Sequence, residues 1–422
     1  MNTKKKKALL IIEQCNPDWS SVPLEGYNYY NGISQLCNVT LVTHIRNKEA
    51  LQKRPEHQDI IYIEESQFSK VYHKIIATLT SIGRKNWPLY IALSYPIYEE
   101  FNRQVYQQFK DKVIGKEYDV VHMITPMMPR YPSKMVKVCQ DTPFILGPVN
   151  GGVPFPPGFQ KVARQEFAYF NFLRAVGRNL IPGYVETYKT ANKILAGSTY
   201  TLNLIQDLFK IPEERLQLFY ENGISKSFFQ EKTINQNNSV TNLLFVGRLV
   251  PYKGADMVID AVSNLSDDIK NKIKFTIVGD GSEKVNLESQ VENLGLEKIV
   301  SFTGWIKQSE TVNYYKEADI FCFPSIREFG GAVVLEAMAC GLPCIVANNG
   351  GIGEYVTPET GFSIEPKSRE YLVETLTEKI TTLIENKALL EEMSAKCYER
   401  VQEFEWNIKA KKIVDIYEQS IM

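Results

Sequence analysis

Short apolar runs rich in β-branched residues alternate with longer amphipathic stretches along nearly the whole chain, and this alternation restricts the fold more than any other feature. In the first half the strand candidates are ALLII (8–12), VTLVT (39–43), DIIYI (59–63), DVVHMI (119–124), PFILG (143–147) and KILAG (193–197). The second half repeats the rhythm with NLLFVG (242–247), IKFTIVG (273–279), IVSFTG (299–304), DIFCFP (319–324) and PCIVAN (343–348). Strands separated by helix-length segments imply parallel sheets with helices on both faces. At 422 residues the chain has the length for two doubly wound Rossmann-like domains. The crossover between them is expected near Phe219 to Gly223, with the polar stretch EKTINQNNSV (231–240) a surface loop early in the second domain. Ligands in such sheets bind beyond the carboxyl ends of the strands, so the cleft between two facing domains is the expected site.

Composition removes several function classes. A net charge of −1 argues against a nucleic-acid partner, because neutralising phosphates needs a basic surplus. The seven cysteines are scattered among apolar neighbours and read as buried free thiols of a reducing compartment. Cys340 and Cys344 are the nearest thing to a metal pair, but the spacing is C-x3-C with no second pair and no nearby histidine, so no metal is expected. MNTKKKKALLII has a basic flank but an apolar stretch stopped by Glu13, and reads as a tail leading into a first strand. No run reaches the length of a spanning helix, and a cytoplasmic protein is expected.

Charged residues at strand ends carry the chemistry. Arg248 and Lys253 follow the strand NLLFVG, with Gly247 at its end and Gly254 opening a helix. Two cations beside free helix amides make a receptor for a diphosphate, Arg as a fork and Lys as a point charge. Gly279 and Gly281 in IVGDGSEKVNL read as a tight turn beside the ligand. A dinucleotide fingerprint is disfavoured because Lys284 stands where its third glycine belongs. In REFGGAVVLEAMACGLPCIV, Glu328 lies in the loop after the strand DIFCFP, and Gly330 and Gly331 bare the backbone at a helix start. Glu336, a little over one turn into that helix, offers a carboxylate for the vicinal hydroxyls of a ribose.

Taken together, GRLVPYKG, the E-x7-E segment REFGGAVVLEAMACGLPCIV, the following GGIGEYV and the ENGI of 221–224 resemble the retaining glycosyltransferases of family 4, which have the GT-B fold. The match is specific in the second half. It is looser in the first, through VPLEGY, DVVHMITP and GPVNGG, with Glu25-Gly26 where many members have Gly-Gly. The resemblance implies transfer of a sugar, with retention, from a nucleotide-diphosphate-sugar. It makes 1–219 an acceptor-binding domain, 220–404 a donor-binding domain, and 405–422 a helix crossing back to the first, with hinge motion near 219–223 and 404. Arg248 and Lys253 would neutralise the leaving diphosphate in place of a metal. Glu328 would hold the donor sugar, helped by the amides of Phe329, Gly330 and Gly331. Glu336 would bind the ribose, and Trp305 and Ile306 would lie near the base. His122 would contact the transferred sugar from the first domain, with Gly26, Asn150 and Gly151 on the acceptor side. The acceptor would be a glycan or a lipid-linked glycan, as in the building of bacterial surface polysaccharides.

Other readings fit fewer residues. A glycoside hydrolase would use paired carboxylates but leaves Arg248 and Lys253 without a role. A nucleotide-sugar epimerase and a non-catalytic sugar-binding protein of the same architecture remain as alternatives. The stretch FQKVARQEFAYFNFLRAVGRN (159–179) is open between a helix pair packed on the sheet and a membrane-surface helix suited to a lipid-linked acceptor, working with Lys4 to Lys7.

Overall fold

Both halves of the alternation become all-parallel sheets. The computed structural model describes residues 5–54, 56, 59–81, 85–230 and 240–421; His57, Lys4 and residues 231–239 of the expected surface loop lie outside them. The chain divides into two compact units, the first comprising Met1–Gly152, Glu166–Glu221 and Trp406–Met422, the second Val153–Gln165 and Asn222–Glu405.

Among the described residues the first unit holds β1 (Lys7–Ile12), β2 (Asn38–His44), β3 (Ile60–Ile63), β4 (Val120–Thr125), β5 (Phe144–Val149), β6 (Lys193–Ala196) and β7 (Leu216–Leu218). They lie side by side in the order β3-β2-β1-β4-β5-β6-β7, every pair parallel. Because side chains alternate across a strand, Leu9 and Ile11 enter one core while Ala8, Leu10 and Ile12 enter the other. Fully burying each such Leu or Ile contributes roughly 1.5–3 kcal/mol. Phe101, Val105, Phe109 and Val113, at every fourth position of the helix Tyr95–Ile114, cover the first face. The second face is covered by the helices Val22–Leu36 and Trp406–Ile421, which pack on each other where Gly32 meets Ala410.

The second unit holds β8 (Thr241–Val246), β9 (Ile273–Val278), β10 (Val300–Gly304), β11 (Ile320–Phe323), β12 (Cys344–Ala347) and β13 (Gly361–Ile364), in the order β10-β9-β8-β11-β12-β13 and again parallel. Strand order reverses between β8 and β11, so the chain leaves these two strands toward opposite sides and the loops that follow them flank the reversal point at the sheet's carboxyl edge. β7 and β13, which the sequence pattern does not reveal, are the short outer strands of their sheets.

The segment 153–165, which the alternation groups with the first half, belongs to the second unit. Arg327 Nε donates to the Val153 carbonyl at 2.8 Å, Asn349 Nδ2 donates to the Pro154 carbonyl at 3.0 Å, and Gly158 packs so closely on Lys367 that a Cβ there would lie 2.2 Å from its carbonyl oxygen. All seven cysteines are buried, and none is joined in a disulfide among the described residues. No helix among the described residues is long and apolar enough to cross a membrane.

Candidate functional site

The loops after β8 and β11 meet at the reversal point of the second sheet. Backbone bonds lay the loop after β8 along its neighbour: Gly247 N donates to the Val278 carbonyl at 3.0 Å and Leu249 N to the Asp280 carbonyl at 2.9 Å. That approach requires glycine at 279, whose φ is +147° and whose Cβ would lie 1.9 Å from the Gly247 carbonyl oxygen. Gly279 N in turn donates to the Gly304 carbonyl at 3.0 Å, so Gly247, Gly279 and Gly304 stand in a row along the edge. Trp305 follows with its indole mostly exposed, a free aromatic face beside the row, and Ile306 is half-buried next to it.

Lys253 and Glu328 form the centre of the group. The Lys253 ammonium is paired with Glu328 Oε2, and both side chains are largely buried. Ser325 Oγ donates to the same carboxylate oxygen at 3.2 Å, and the ammonium lies 5.0 Å from the Phe323 ring centroid and 5.5 Å from that of Tyr252. Arg248 Nη2 donates to the Tyr252 hydroxyl at 2.9 Å, which holds the guanidinium at the same loop. Ile326 N donates to the Tyr252 carbonyl at 2.9 Å and ties the two loops together.

Two helix starts open here without a side-chain cap. Gly254 (φ +79°) precedes Ala255–Ser263, and Gly331 (φ +66°) precedes Ala332–Ala339. Their first amides have no intrahelical partners and carry the positive end of the helix dipole. Gly330 is buried just before the second start, and Phe329 stacks against the Arg327 guanidinium at 5.0 Å. The loop Ile326–Gly331 rests on the GGIG turn: Glu328 N donates to the Asn349 carbonyl at 3.3 Å and Gly351 N to the Phe329 carbonyl at 2.9 Å. Two cations and two sets of bare amides around one carboxylate suit an anion that also carries hydroxyl groups.

Glu336 stands apart from this group. It is buried on the helix Ala332–Ala339 and takes a bond from Gln308 Nε2 at 2.6 Å on one oxygen and from the Tyr315 hydroxyl at 2.9 Å on the other. Burial raises its pKa, and the two donated bonds act against that rise. Both oxygens therefore already have protein donors, and each retains one lone-pair direction for a further bond.

In the first unit His122 departs from expectation. On β4 it shares a face with Val120 and Ile124, which enter the core under Val22–Leu36 and Trp406–Ile421, and it is 0% exposed. Nδ1 lies 2.6 Å from the Tyr417 hydroxyl and Nε2 2.7 Å from the Gly147 carbonyl. A carbonyl can only accept, so Nε2 carries the proton and Nδ1 accepts from Tyr417, which makes a neutral ring with both nitrogens engaged. Burial lowers its pKa to about 4, opposed by the Gly147 bond. The expectation that His122 reaches the sugar is corrected: it is a core tie between β4, β5 and the last helix.

Gly26, expected on the acceptor side, is a helix residue. It lies within the helix Val22–Leu36, where a Cβ would be 2.2 Å from the Gln14 carbonyl oxygen, so it lets the helix lie against the end of β1. Asn150 is buried, with Oδ1 accepting from the Ser198 and Thr201 hydroxyls, both at 2.8 Å. Gly151 N donates to Thr201 Oγ1 at 3.0 Å. Asn150 and Gly151 thus fasten the turn after β5 to the helix Thr199–Phe209.

Residues 226–403 match the family model described as glycosyl transferases group 1. An uncharacterized glycosyltransferase of Methanocaldococcus jannaschii is 28% identical over 246 residues, 56% of this chain and 61% of the relative. The D-inositol 3-phosphate glycosyltransferase of Corynebacterium glutamicum is 32% identical over 42% of this chain and 43% of its own length. The chain thus spans less than two thirds of the curated relatives it matches. Among solved structures, WaaG, a glycosyltransferase involved in lipopolysaccharide biosynthesis, superposes with a TM-score of 0.61 at 17% identity, covering 97% of this chain and 99% of that one. Anabaena HepE in complex with UDP and glucose gives 0.59 at 17%, covering 98% and 100%.

The fold is GT-B. The family match covers Arg248, Lys253, Glu328 and Glu336 and leaves out His122, Asn150 and Gly26. Sequence reasoning missed Tyr252, Ser325, Gln308 and Tyr315. Of these Ser325 had a signal, standing three residues before Glu328 in the same short loop.

Proposed function

We propose that this chain is a retaining glycosyltransferase that moves a sugar from a nucleotide-diphosphate-sugar to a glycan or lipid-linked acceptor, in surface-polysaccharide synthesis at the cytoplasmic face of a membrane. The observation that carries the reading is the Lys253–Glu328 pair beside Arg248 and two uncapped helix starts, all at the strand-order reversal of the second sheet. The second unit would take the donor and the first the acceptor, with 159–179 contacting the membrane.

In the reaction the bond from the anomeric carbon to the diphosphate oxygen breaks, a bond from an acceptor hydroxyl oxygen forms on the same face of the sugar, and the hydroxyl proton passes to the departing phosphate oxygen on that face. Charge develops on the departing phosphate, where Arg248, Lys253 and the amides of Ala255 and Ala332 stabilise it without a metal ion. Glu328 exchanges part of its bonding to Lys253 for the hydroxyls of the donor sugar. Glu336 uses its remaining lone pairs for the ribose, and Trp305 offers a stacking face to the base.

The test is a thermal-shift panel of nucleotides and nucleotide sugars, headed by uridine donors because the Anabaena neighbour is seen with UDP. Ligand at about a hundred times its Kd adds about 2.7 kcal/mol of stability, well within detection. The selected donor is then incubated with glycan acceptors in chelator. Nucleotide release that depends on acceptor supports transfer; isomerised donor without acceptor would place the chain among epimerases, and no stabilisation by any nucleotide would end the proposal.

A further inference from the structure

Two helices of the first unit carry the same apolar stripe, turned outward. On Gln67–Leu79 it is Phe68, Val71, Ile75 and Leu79; on Phe172–Leu180 and the turn before it, Tyr169, Phe172, Val176 and Leu180. The spacing i, i+3, i+7, i+11 is that of a helix face meant for burial. Yet all eight side chains are exposed, from 40% for Val176 to 74% for Leu180. The helix Trp87–Leu93 packs against both and adds Trp87, itself exposed, so the stripes belong to one surface. Apolar surface on this scale marks an interaction site.

The charge around it selects the partner. No Asp or Glu occurs in residues 66–98 or 167–185, stretches of 33 and 19 residues. At the chain's own frequency of 49 acids in 422 residues, about six carboxylates would fall there. In their place are Lys70, Lys74, Arg84, Lys85, Arg174 and Arg178. Lys70, Lys74 and Arg174 are exposed, and the Lys85 ammonium lies 4.1 Å from the Trp87 ring centroid. Within these stretches apolar side chains, aromatic rings and cations stand without a carboxylate of their own, while Glu100 meets the first helix at its start by accepting from Ser66 Oγ at 2.9 Å; the combination matches a surface that is apolar inside and anionic at its rim.

We propose that this face seats the chain on an anionic lipid bilayer, with both stripes lying in the headgroup region and the cations against lipid phosphates. It deepens the membrane contact put forward above, adding Gln67–Leu79 and Trp87 to the 159–179 stretch, and its purpose rests on a lipid-linked acceptor. The mode is lying on the membrane, not crossing it.

The full chain is sedimented with phosphatidylcholine vesicles and with vesicles in which part of the lipid is phosphatidylglycerol, while nucleotide thermal shifts are measured in parallel. Binding is expected on the anionic vesicles, weakened by salt. Phe68→Ser with Ile75→Ser should reduce it at least about tenfold, since both side chains lose their burial in the interface. Lys70→Gln with Lys74→Gln should reduce it about fivefold per charge. Both double variants should keep the nucleotide shift. The proposal is overturned by absence of binding to anionic vesicles at low salt, by full binding in both double variants, or by a solution dimer that Phe68→Ser with Ile75→Ser dissociates, which would make a second copy the occupant. Vesicle binding without any nucleotide shift would sink the functional reading and leave this one standing.

Discussion

Replacing Tyr417 with phenylalanine removes one oxygen from the pair it forms with His122, a pair buried beneath the last helix. The ring of Tyr417 stays in its packing, so the loss is confined to one hydrogen bond. What remains is His122 Nδ1, an acceptor without a donor, in a place water does not reach. Such an orphaned group costs about 1–3 kcal/mol. For a unit of this size each kcal/mol moves the midpoint by roughly 2–4 °C, so the variant should melt roughly 2–12 °C below the parent. Urea unfolding supplies the free energy and turnover measured well below the midpoint supplies the activity. If His122 is a core tie, stability falls and kcat holds. An unchanged midpoint with a steep fall in kcat would refute the structural assignment and return His122 to the reacting sugar.

Three further outcomes follow from the geometry. Lys253→Met should abolish the nucleotide-induced thermal shift and cost about 3–5 kcal/mol in the free protein, because Glu328 loses its buried partner; adding Glu328→Gln should recover much of the stability and none of the binding, and a retained shift would remove Lys253 from the donor site. The depressed pKa of His122, about 4 against an ordinary 6.5, means its contribution is present above about pH 6.5 and is lost as pH falls through 4, worth about 3 kcal/mol. His44, lowered to about 3 by burial and Arg46, adds in the same sense, so urea midpoints that stay flat from pH 6.5 down to 4 would contradict both. Lys409 is buried among Tyr29, Phe219 and Trp406, and burial lowers its pKa to about 7 against the pull of Glu25 and Glu221. Between that value and an ordinary lysine pKa the unfolded chain holds more protons, so stability should rise with pH there, and Lys409→Met should flatten that rise; equal slopes in the two proteins would show that Lys409 stays charged.

The fold was legible because both sheets are built from central strands that are apolar on both sides, and such runs stand out against amphipathic helices. β7 and β13 are not legible because they are short, partly exposed outer strands, Leu216–Leu218 and Gly361–Ile364, whose apolar runs are interrupted by Gln217 and Ser363. Charges stranded in loops after apolar strands drew attention to Arg248, Lys253 and Glu328, and the structure brings the last two into contact. The engagement of Glu336 could not be read, since Gln308 and Tyr315 approach it from another helix 28 and 21 residues earlier. For His122 the alternation along β4 fixes which neighbours share its face but not what covers that face; the cover is a helix 295 residues later. Gly26 is expected on the acceptor side through the resemblance, yet Pro23 at the first turn is a helix-start signal and the glycine serves close packing.

On the proposed reading, the reversal point of the second sheet clasps a diphosphate. Isothermal titration of the full chain with a nucleoside diphosphate and the matching monophosphate tests it most directly, repeated on Arg248→Ala and Lys253→Ala. Two cations and two helix starts aimed at the second phosphate should make the diphosphate bind at least about tenfold more tightly, since charge-assisted bonds contribute about 1.5–3 kcal/mol each. That preference should collapse in both variants. Equal affinity for the two nucleotides, or a preference that survives both substitutions, would contradict the account.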